Sequence, residues 1–212
     1  FSKFRIVHEA DEQKAANIAV KLINDGEGDI IMKGLVSTDK YMRAILNKET
    51  GLLPPKAVLS HVTVMELPTY HKLLVLSDVA VLPAPDLNQK IAITNYVAKT
   101  ARAIGIQKPK VALIAATEQM LPGMQACVDA AIISKMADRG QVTGCIVDGP
   151  LALDVALSQE AVAVKKLVSN VAGDADCLVF PNLESANVFY KTNTQLCENA
   201  KQAAIVAGAK AP

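Results

Sequence analysis

The alternation of short apolar runs with amphipathic stretches predicts an α/β protein. From Asp11 to Gly26 the apolar residues recur at helical spacing, which predicts a helix with one buried face. Apolar runs at 4–7 and 29–32 predict strands on either side of it, and a second helix is predicted over 38–47. A strand-helix-strand-helix order is typical of a parallel sheet. The first part of the chain is therefore interpreted as part of an α/β domain.

The pattern restarts after Pro54-Pro55, where two prolines make a stiff, non-helical connector. We therefore predict part of a first α/β domain at 1–56, a second α/β domain at 57–205, and the start of a return to the first domain at 206–212.

The second domain is predicted to contain six strands, with helices between the later ones. The strands are placed at 57–67, 73–76, 79–82, 110–115, 144–147 and 177–180. Asp86 is predicted to cap a long helix, and a further helix is expected to place Met124, Val128, Ala131 and Ile132 in the core. Residues 184–208 are interpreted as helical with one or two breaks. Parallel-type sheets are expected in both domains.

Composition narrows the function classes. Hydrophobic residues make up 51% of the 212 residues, and the net charge is +1 with no charged block. Neither value indicates a nucleic-acid or membrane partner. No apolar run approaches the roughly 20 residues of a membrane span, and no signal peptide is visible. The four cysteines are widely spaced without a C-x-x-C pair, which favours reduced, core-filling thiols in the cytoplasm.

The loop after the second predicted strand carries the most suggestive polar residues. Ligands of parallel α/β sheets bind beyond the carboxyl ends of strands, at helix N-termini. Gly34 permits close backbone approach, Ser37 and Thr38 offer hydroxyls, and Lys33 and Arg43 offer positive charge. This set could hold a phosphate. The same residues also fit a helix cap with two solvated cations, since no Walker or G-x-G-x-x-G pattern is present.

Three other predicted strand ends are polar. They are Ser60-His61, Asp148-Gly149-Pro150, and Pro181-Asn182 with Glu184 and Asn187. At the second, Asp148 is interpreted as a helix cap before a glycine turn and an N-terminal proline, or alternatively as a carboxylate facing the cleft with Asp154 one turn further on. The histidines at 8, 61 and 71 are too scattered to indicate a metal site.

Whole segments of the chain resemble the phosphate acetyl/butyryltransferase family. The first includes Ile31-Met-Lys-Gly-Leu-Val-Ser-Thr and continues over 41–52, and the second, at 131–157, includes Ser134-Lys-Met-Ala-Asp-Arg-Gly. The third spans 175–191 and includes Phe180-Pro-Asn-Leu-Glu-Ser-Ala-Asn. The resemblance covers nearly the whole chain in order. Its Lys-Gly-Leu-Val form and its Ser-Lys-Met-Ala-Asp-Arg-Gly run are closer to phosphate butyryltransferases than to phosphate acetyltransferases.

The resemblance implies two α/β domains around a cleft, as in the isocitrate dehydrogenase superfamily. It implies the reaction of acyl-CoA with phosphate to give acyl phosphate and CoA, with a short, butyryl-like acyl group. Coenzyme A and phosphate are then substrates, and neither a metal nor a redox cofactor is expected. A homo-oligomer, at least a dimer, is expected in the cytoplasm. By family position the cleft would be lined by Lys33, Gly34, Ser37, Thr38 and Arg43 from the first domain, and by Asp148, Asn182, Glu184 and Asn187 from the second.

Two departures from the family pattern affect these expectations. The family usually carries glycine where this chain has Ala186, and alanine in a left-handed turn would be strained by about 1 kcal/mol. The family's main catalytic groups, a Ser-Arg pair followed by Asp, lie on a segment after Ala211-Pro212. We therefore expect a chain truncated at both ends, with catalytic groups beyond Pro212 and Asp148 as the fallback catalytic residue.

Two other classes of function are open alternatives. The same fold is appended to some malic enzymes, where it senses acyl-CoA without catalysing transfer. The wider superfamily also contains metal-dependent dehydrogenases, such as those acting on hydroxythreonine phosphate, and these would require clustered Asp or His ligands near the cleft.

Overall fold

The computed structural model describes residues 3–212, which form two units. One unit comprises the described residues up to Leu59 together with Val206–Pro212, and the other comprises Ser60–Ile205. The predicted ranges 1–56, 57–205 and 206–212 put the first junction three residues earlier. That the units correspond to the predicted domains stays a prediction.

The first unit is built on two helices. α1 (Glu12–Asn24) begins where the Asp11 carboxylate accepts a backbone N–H of the first turn, as the sequence predicted. α2 (Thr38–Ile45) begins at the cap Ser37. Ala16 and Val20 of α1 are buried in a small apolar core, whose other buried members are Ala44, Ile45 and Leu52. The C-terminal residues join the same unit, because Lys210 N donates to Leu52 O at 2.9 Å.

The strands predicted at 4–7 and 29–32 are wrong. Both segments are irregular, and Phe4, Ile30 and Met32 are largely exposed. An apolar run becomes a buried strand only where neighbouring backbone pairs with it and other elements cover it. In the second segment Ile31 N donates to Pro212 O at 3.0 Å, and the side chains around it stay in solvent.

The second unit contains a sheet in the order β4-β3-β5-β2-β1-β6. Its strands are β1 (Ser60–Glu66), β2 (Leu74–Ser77), β3 (Lys110–Ile114), β4 (Ile146–Leu151), β5 (Cys177–Val179) and β6 (Lys201–Ala207), and the chain passes to the first unit within β6. β4, β3, β5 and β2 run parallel, while β1 is antiparallel to β2. The sheet is therefore mixed: the expected parallel type is present in four strands, and β1 departs from it.

Five helices belong to this unit. They are α3 (Leu87–Ala103), α4 (Gln125–Asp138), α5 (Leu153–Leu157), α6 (Gln159–Lys165) and α7 (Leu183–Leu196). The predicted cap of α3 is confirmed, since Asp86 and Gln89 form a reciprocal capping box. The core face of α4 lies one residue away from the predicted one, with Ala130 and Ile133 buried and Ile132 40% exposed.

Two further element predictions for this unit are wrong. Residues 79–82 form a turn, because the Asp78 carboxylate accepts the N–H groups of Ala80 and Val81 at 2.8 Å each. The stretch 184–208 is not helical throughout, because α7 ends at Leu196 and β6 follows. The sequence of β6 is rich in alanine and suits either state, so pairing at the edge beside β1 decides the outcome.

Candidate functional site

The predicted phosphate loop of the first unit is held by bonds within itself. Lys33 Nζ donates to the carbonyl oxygens of Gly34 at 3.2 Å and Val36 at 3.0 Å. Ser37 is the N-cap of α2, and its hydroxyl accepts the N–H of Lys40 at 3.4 Å. The interpretation of this segment as a helix cap is therefore confirmed. The loop still presents the positive end of α2 beside Lys33, which is the arrangement that favours an anion.

Arg43 lies one turn further along α2. Its Nη2 donates to Asp39 Oδ2 at 2.8 Å, and both side chains are more than two-thirds exposed. An exposed pair of this kind contributes little to stability, so its guanidinium is available to a substrate at small cost. Thr38 opens the helix and is also exposed. The structure thus keeps the five predicted residues of this unit on one loop and the helix that follows it.

In the second unit a cavity of about 770 Å³ opens beyond the carboxyl ends of β3 and β5. We call it the α7 cavity, because the first turns of α7 form one of its walls. Its lining is mostly apolar and includes Ala116, Leu153, Phe180 and Val188. The end of a parallel strand beside a helix N-terminus is the usual position of a ligand in α/β proteins.

The structure places Asn182 and Glu184 on the lining of this cavity, while Asn187 lies outside the lining. Asn182 caps α7, with Oδ1 accepting the N–H of Ser185 at 2.9 Å. Asn187 Nδ2 donates to Val79 O at 2.9 Å and so ties α7 to the turn after β2. Two of the three predicted binding residues of this unit are therefore brought together, and Asn187 has a structural contact of its own.

The prediction that Asp148 caps a helix is wrong. Asp148-Gly149-Pro150 lies inside β4, and α5 begins later, at Leu153 after the cap Ala152. The glycine is needed for packing: a Cβ there would stand 2.7 Å from Leu113 Cβ. Asp148 is half-buried, accepts the hydroxyl of Ser169, and accepts the N–H of Gly149 at 2.8 Å. Its role as a fallback catalytic residue stays a prediction.

Ala186 does not lie in the left-handed turn that was considered from the sequence. It is fully buried within α7, where its N–H donates to Asn182 O at 3.3 Å. It is absent from the described non-glycine residues with positive φ, which are Lys56, Lys166 and Asn199. Alanine suits a helix interior better than glycine, so the departure from the family pattern costs nothing locally.

Two acidic residues near strand ends were not singled out in the sequence. Asp78, at the end of β2, is buried and accepts the Ser60 hydroxyl at 2.9 Å and the His61 N–H at 3.1 Å. Burial lowers the pKa of the His61 imidazole, and the Asp78 charge opposes that effect. Glu118, after β3, accepts from Ala152 N and Lys165 Nζ at 3.1 Å each. The position of Asp78 directly after an apolar strand was the signal that could have indicated it, whereas no such signal marks Glu118, which lies four residues beyond the end of β3.

Within residues 3–212, no group of three or more His, Cys, Asp or Glu side chains is arranged to hold a metal ion. Among the helices of the same residues, none combines the length and the apolar character needed to cross a bilayer.

The second unit therefore defines an α/β protein with an apolar cavity at the carboxyl edge of its parallel strands. The phosphate acetyl/butaryl transferase family matches residues 2–212, and the chain belongs to that family. The resemblance stated from the sequence is confirmed.

Known relatives agree with this assignment. The phosphate butyryltransferase of Clostridium acetobutylicum is 49% identical over 209 residues, which are 99% of this chain and 69% of the relative. The phosphate acetyltransferase of Thermotoga maritima is 40% identical over 200 residues, which are 94% and 67%. The crystal structure of a branched-chain phosphotransacylase from Enterococcus faecalis V583 matches with a TM-score of 0.87 at 35% identity, covering 99% of this chain and 74% of that one.

Proposed function

We propose that the protein transfers a short, butyryl-like acyl group between coenzyme A and phosphate. The observation that carries the proposal is the 49% identity to a phosphate butyryltransferase over 99% of the chain, against 40% to a phosphate acetyltransferase. In one direction a phosphate oxygen attacks the thioester carbonyl, the C–S bond breaks, and CoA leaves as the thiolate. In the other, the thiolate attacks the acyl phosphate carbonyl and phosphate leaves.

Both directions require positive charge near phosphate and a group that manages the thiol proton. We assign the first task to Lys33, Arg43 and the N-terminus of α2, with Ser37 and Thr38 as hydroxyl donors and Gly34 leaving room for the ligand. Lys33 and Arg43 suit this task because their present partners are backbone carbonyls and one exposed carboxylate. Asn182, Glu184 and Asn187 are proposed to approach the substrate from the second unit, and Asp148 is the fallback for the proton.

The proposal also includes the expected domain arrangement, oligomeric state, cellular location and cofactor requirement. We infer an isocitrate dehydrogenase-like arrangement of two α/β domains, a homo-oligomer of at least two chains, and a cytoplasmic setting. We also infer that transfer requires neither a metal nor a redox cofactor, because lysine, arginine and helix N-termini supply the charge that phosphate needs.

The direct test is an assay with butyryl-CoA and phosphate. The protein is incubated with both substrates, and the released thiol and the acyl phosphate are measured separately. We expect both products to appear in equal amounts. Binding of butyryl-CoA without either product would favour the acyl-CoA-sensing alternative, and dependence on a metal and a nicotinamide would favour the dehydrogenase.

Arg43→Ala is expected to raise KM for one of the two substrates about tenfold or more. The reason is the loss of a charge-assisted hydrogen bond to an anionic group, which is worth about 1.5–3 kcal/mol. Arg5→Ala is the matched control, because Arg5 is also an exposed arginine paired with an acid, Glu27. Steady-state kinetics with each substrate varied in turn provide the measurement. Unchanged KM values for both substrates would remove Arg43 from the site.

A further inference from the structure

The α7 cavity lies entirely within residues 114–192 and so belongs to the second unit alone. Its volume of about 770 Å³ falls within the range of small-molecule sites, roughly 300–1,000 Å³. The volume is far larger than an acetyl group requires. The cavity can therefore accept a longer or branched ligand.

The lining of the cavity favours uncharged groups over anions. Its walls are mainly aliphatic and aromatic, and its neutral polar residues are Asn182, Ser185 and Thr192. Among the residues that the structure describes, no lysine or arginine lines it, and the charge it carries is the carboxylate of Glu184. A phosphate or a carboxylate would find no counter-ion here and would be repelled by Glu184. An uncharged aliphatic chain has no charge to desolvate on entering the cavity, and the burial of its apolar surface would favour binding.

We propose that the α7 cavity holds the aliphatic acyl chain of the substrate, and that Ala116 is a residue that determines the chain length accepted. This inference rests on the proposed function, which supplies an acyl group larger than acetyl. The phosphate-bearing parts of the substrates lie outside the cavity, because its lining excludes them.

Ala116 is the position at which the cavity can be narrowed with least disturbance. It is the second residue after β3, lines the cavity, and is exposed. A larger side chain at this position can therefore project into the open volume instead of into the packed core. Leu153 and Phe189, by contrast, pack against the buried cluster of the unit, so truncating either would also test folding.

The test uses Ala116→Trp with Ala163→Trp as the matched control. Ala163 is exposed on α6 and does not line the cavity. Values of kcat/KM are measured with acetyl-, butyryl- and isovaleryl-CoA at saturating phosphate. Each methylene excluded from an apolar site reduces binding by about 0.8 kcal/mol, or about fourfold. We therefore expect A116W to lower kcat/KM for butyryl- and isovaleryl-CoA about tenfold or more relative to acetyl-CoA, and A163W to leave the ratios unchanged.

A binding measurement separates this inference from the proposed function. The 212 residues contain no tryptophan, so the indole of A116W is the sole one in the chain. At thioester concentrations high enough to offset the weaker binding, butyryl-CoA should change its emission more than acetyl-CoA, because only the longer chain reaches the indole, whereas the indole of A163W should not respond. If the unaltered protein consumes none of the acyl-CoAs, the proposed function fails and this titration alone decides the inference. Equal responses to both thioesters, or equal loss of activity with all three substrates, would overturn the assignment of the cavity.

Discussion

Asp129→Ala is expected to lower the free energy of unfolding by about 3–5 kcal/mol. Asp129 lies on α4, and its Oδ2 is 2.6 Å from Lys90 Nζ on α3. Both side chains are buried, with 3% of Asp129 and 7% of Lys90 exposed. The variant would leave the Lys90 ammonium buried without its counter-ion, and Gln125 Nε2 would lose an acceptor at 2.8 Å. An unpaired buried charge is far more costly than the pair itself.

Urea denaturation of the protein and its variants provides the measurement. Asp138→Ala is the control, because Asp138 is on the same helix and pairs with Lys135 while 63% of each side chain is exposed. Its loss should stay within about 0.5 kcal/mol. The double variant Lys90→Met with Asp129→Leu should recover most of the stability, since it replaces both charges by apolar groups. A loss below about 1 kcal/mol for Asp129→Ala would show that water reaches Lys90.

This pair illustrates what local sequence patterns reveal and what they leave open. The cap at Asp86 was sufficient to predict where α3 begins, because that signal is local. Nothing local distinguishes Lys90 from a solvated lysine. Its partner is 39 residues away on another helix, so the pair becomes visible only when both helices pack on the sheet.

The candidate site likewise has parts that the sequence could predict and parts that it could not. The family segments identified the loop of Lys33 and Arg43 and the start of α7, and the cap at Ser37 followed from residue type alone. The α7 cavity could not be predicted, because it arises from the packing of α5 and α7 over two strand ends that are distant in sequence. Asp148 was misplaced because Asp-Gly-Pro is typical of a turn. Here the chain continues as a strand through Gly149, where close packing leaves no room for a Cβ.

Asp174→Asn is the second substitution with a large expected effect, a loss of about 2–3 kcal/mol at pH 7. Asp174 lies before β5, and its carboxylate pairs with two lysines and bonds to one histidine. Its carboxylate lies 2.7 Å from Lys110 Nζ, 2.8 Å from Lys72 Nζ and 2.9 Å from His71 Nε2. Partial burial alone would raise the pKa of this carboxyl, but the bonds from Lys110, Lys72 and His71 outweigh it and hold the pKa well below its ordinary value.

The lowered pKa fixes the direction of the pH dependence. A group whose pKa is lower in the folded state stabilises the fold fully above its unfolded pKa, about 3.9 for Asp, and loses that contribution as the pH falls toward the folded value. The difference in unfolding free energy between the protein and Asp174→Asn should therefore be constant from pH 7 to about pH 5 and shrink below about pH 4. Urea denaturation at pH 7, 5 and 3 provides the measurement.

Glu66→Gln is the control for this prediction. Glu66 belongs to the same unit and pairs with Lys201 at 3.1 Å, but both side chains are more than half exposed, so the amide should change stability by less than about 1 kcal/mol at each pH. Other carboxyl groups titrate in the protein and in both variants, and their effects cancel in the differences. A stability difference for Asp174→Asn that is equally large at pH 7 and pH 3 would show that shape or packing, and not the carboxylate charge, holds Lys72 before β2 and Lys110 at the start of β3.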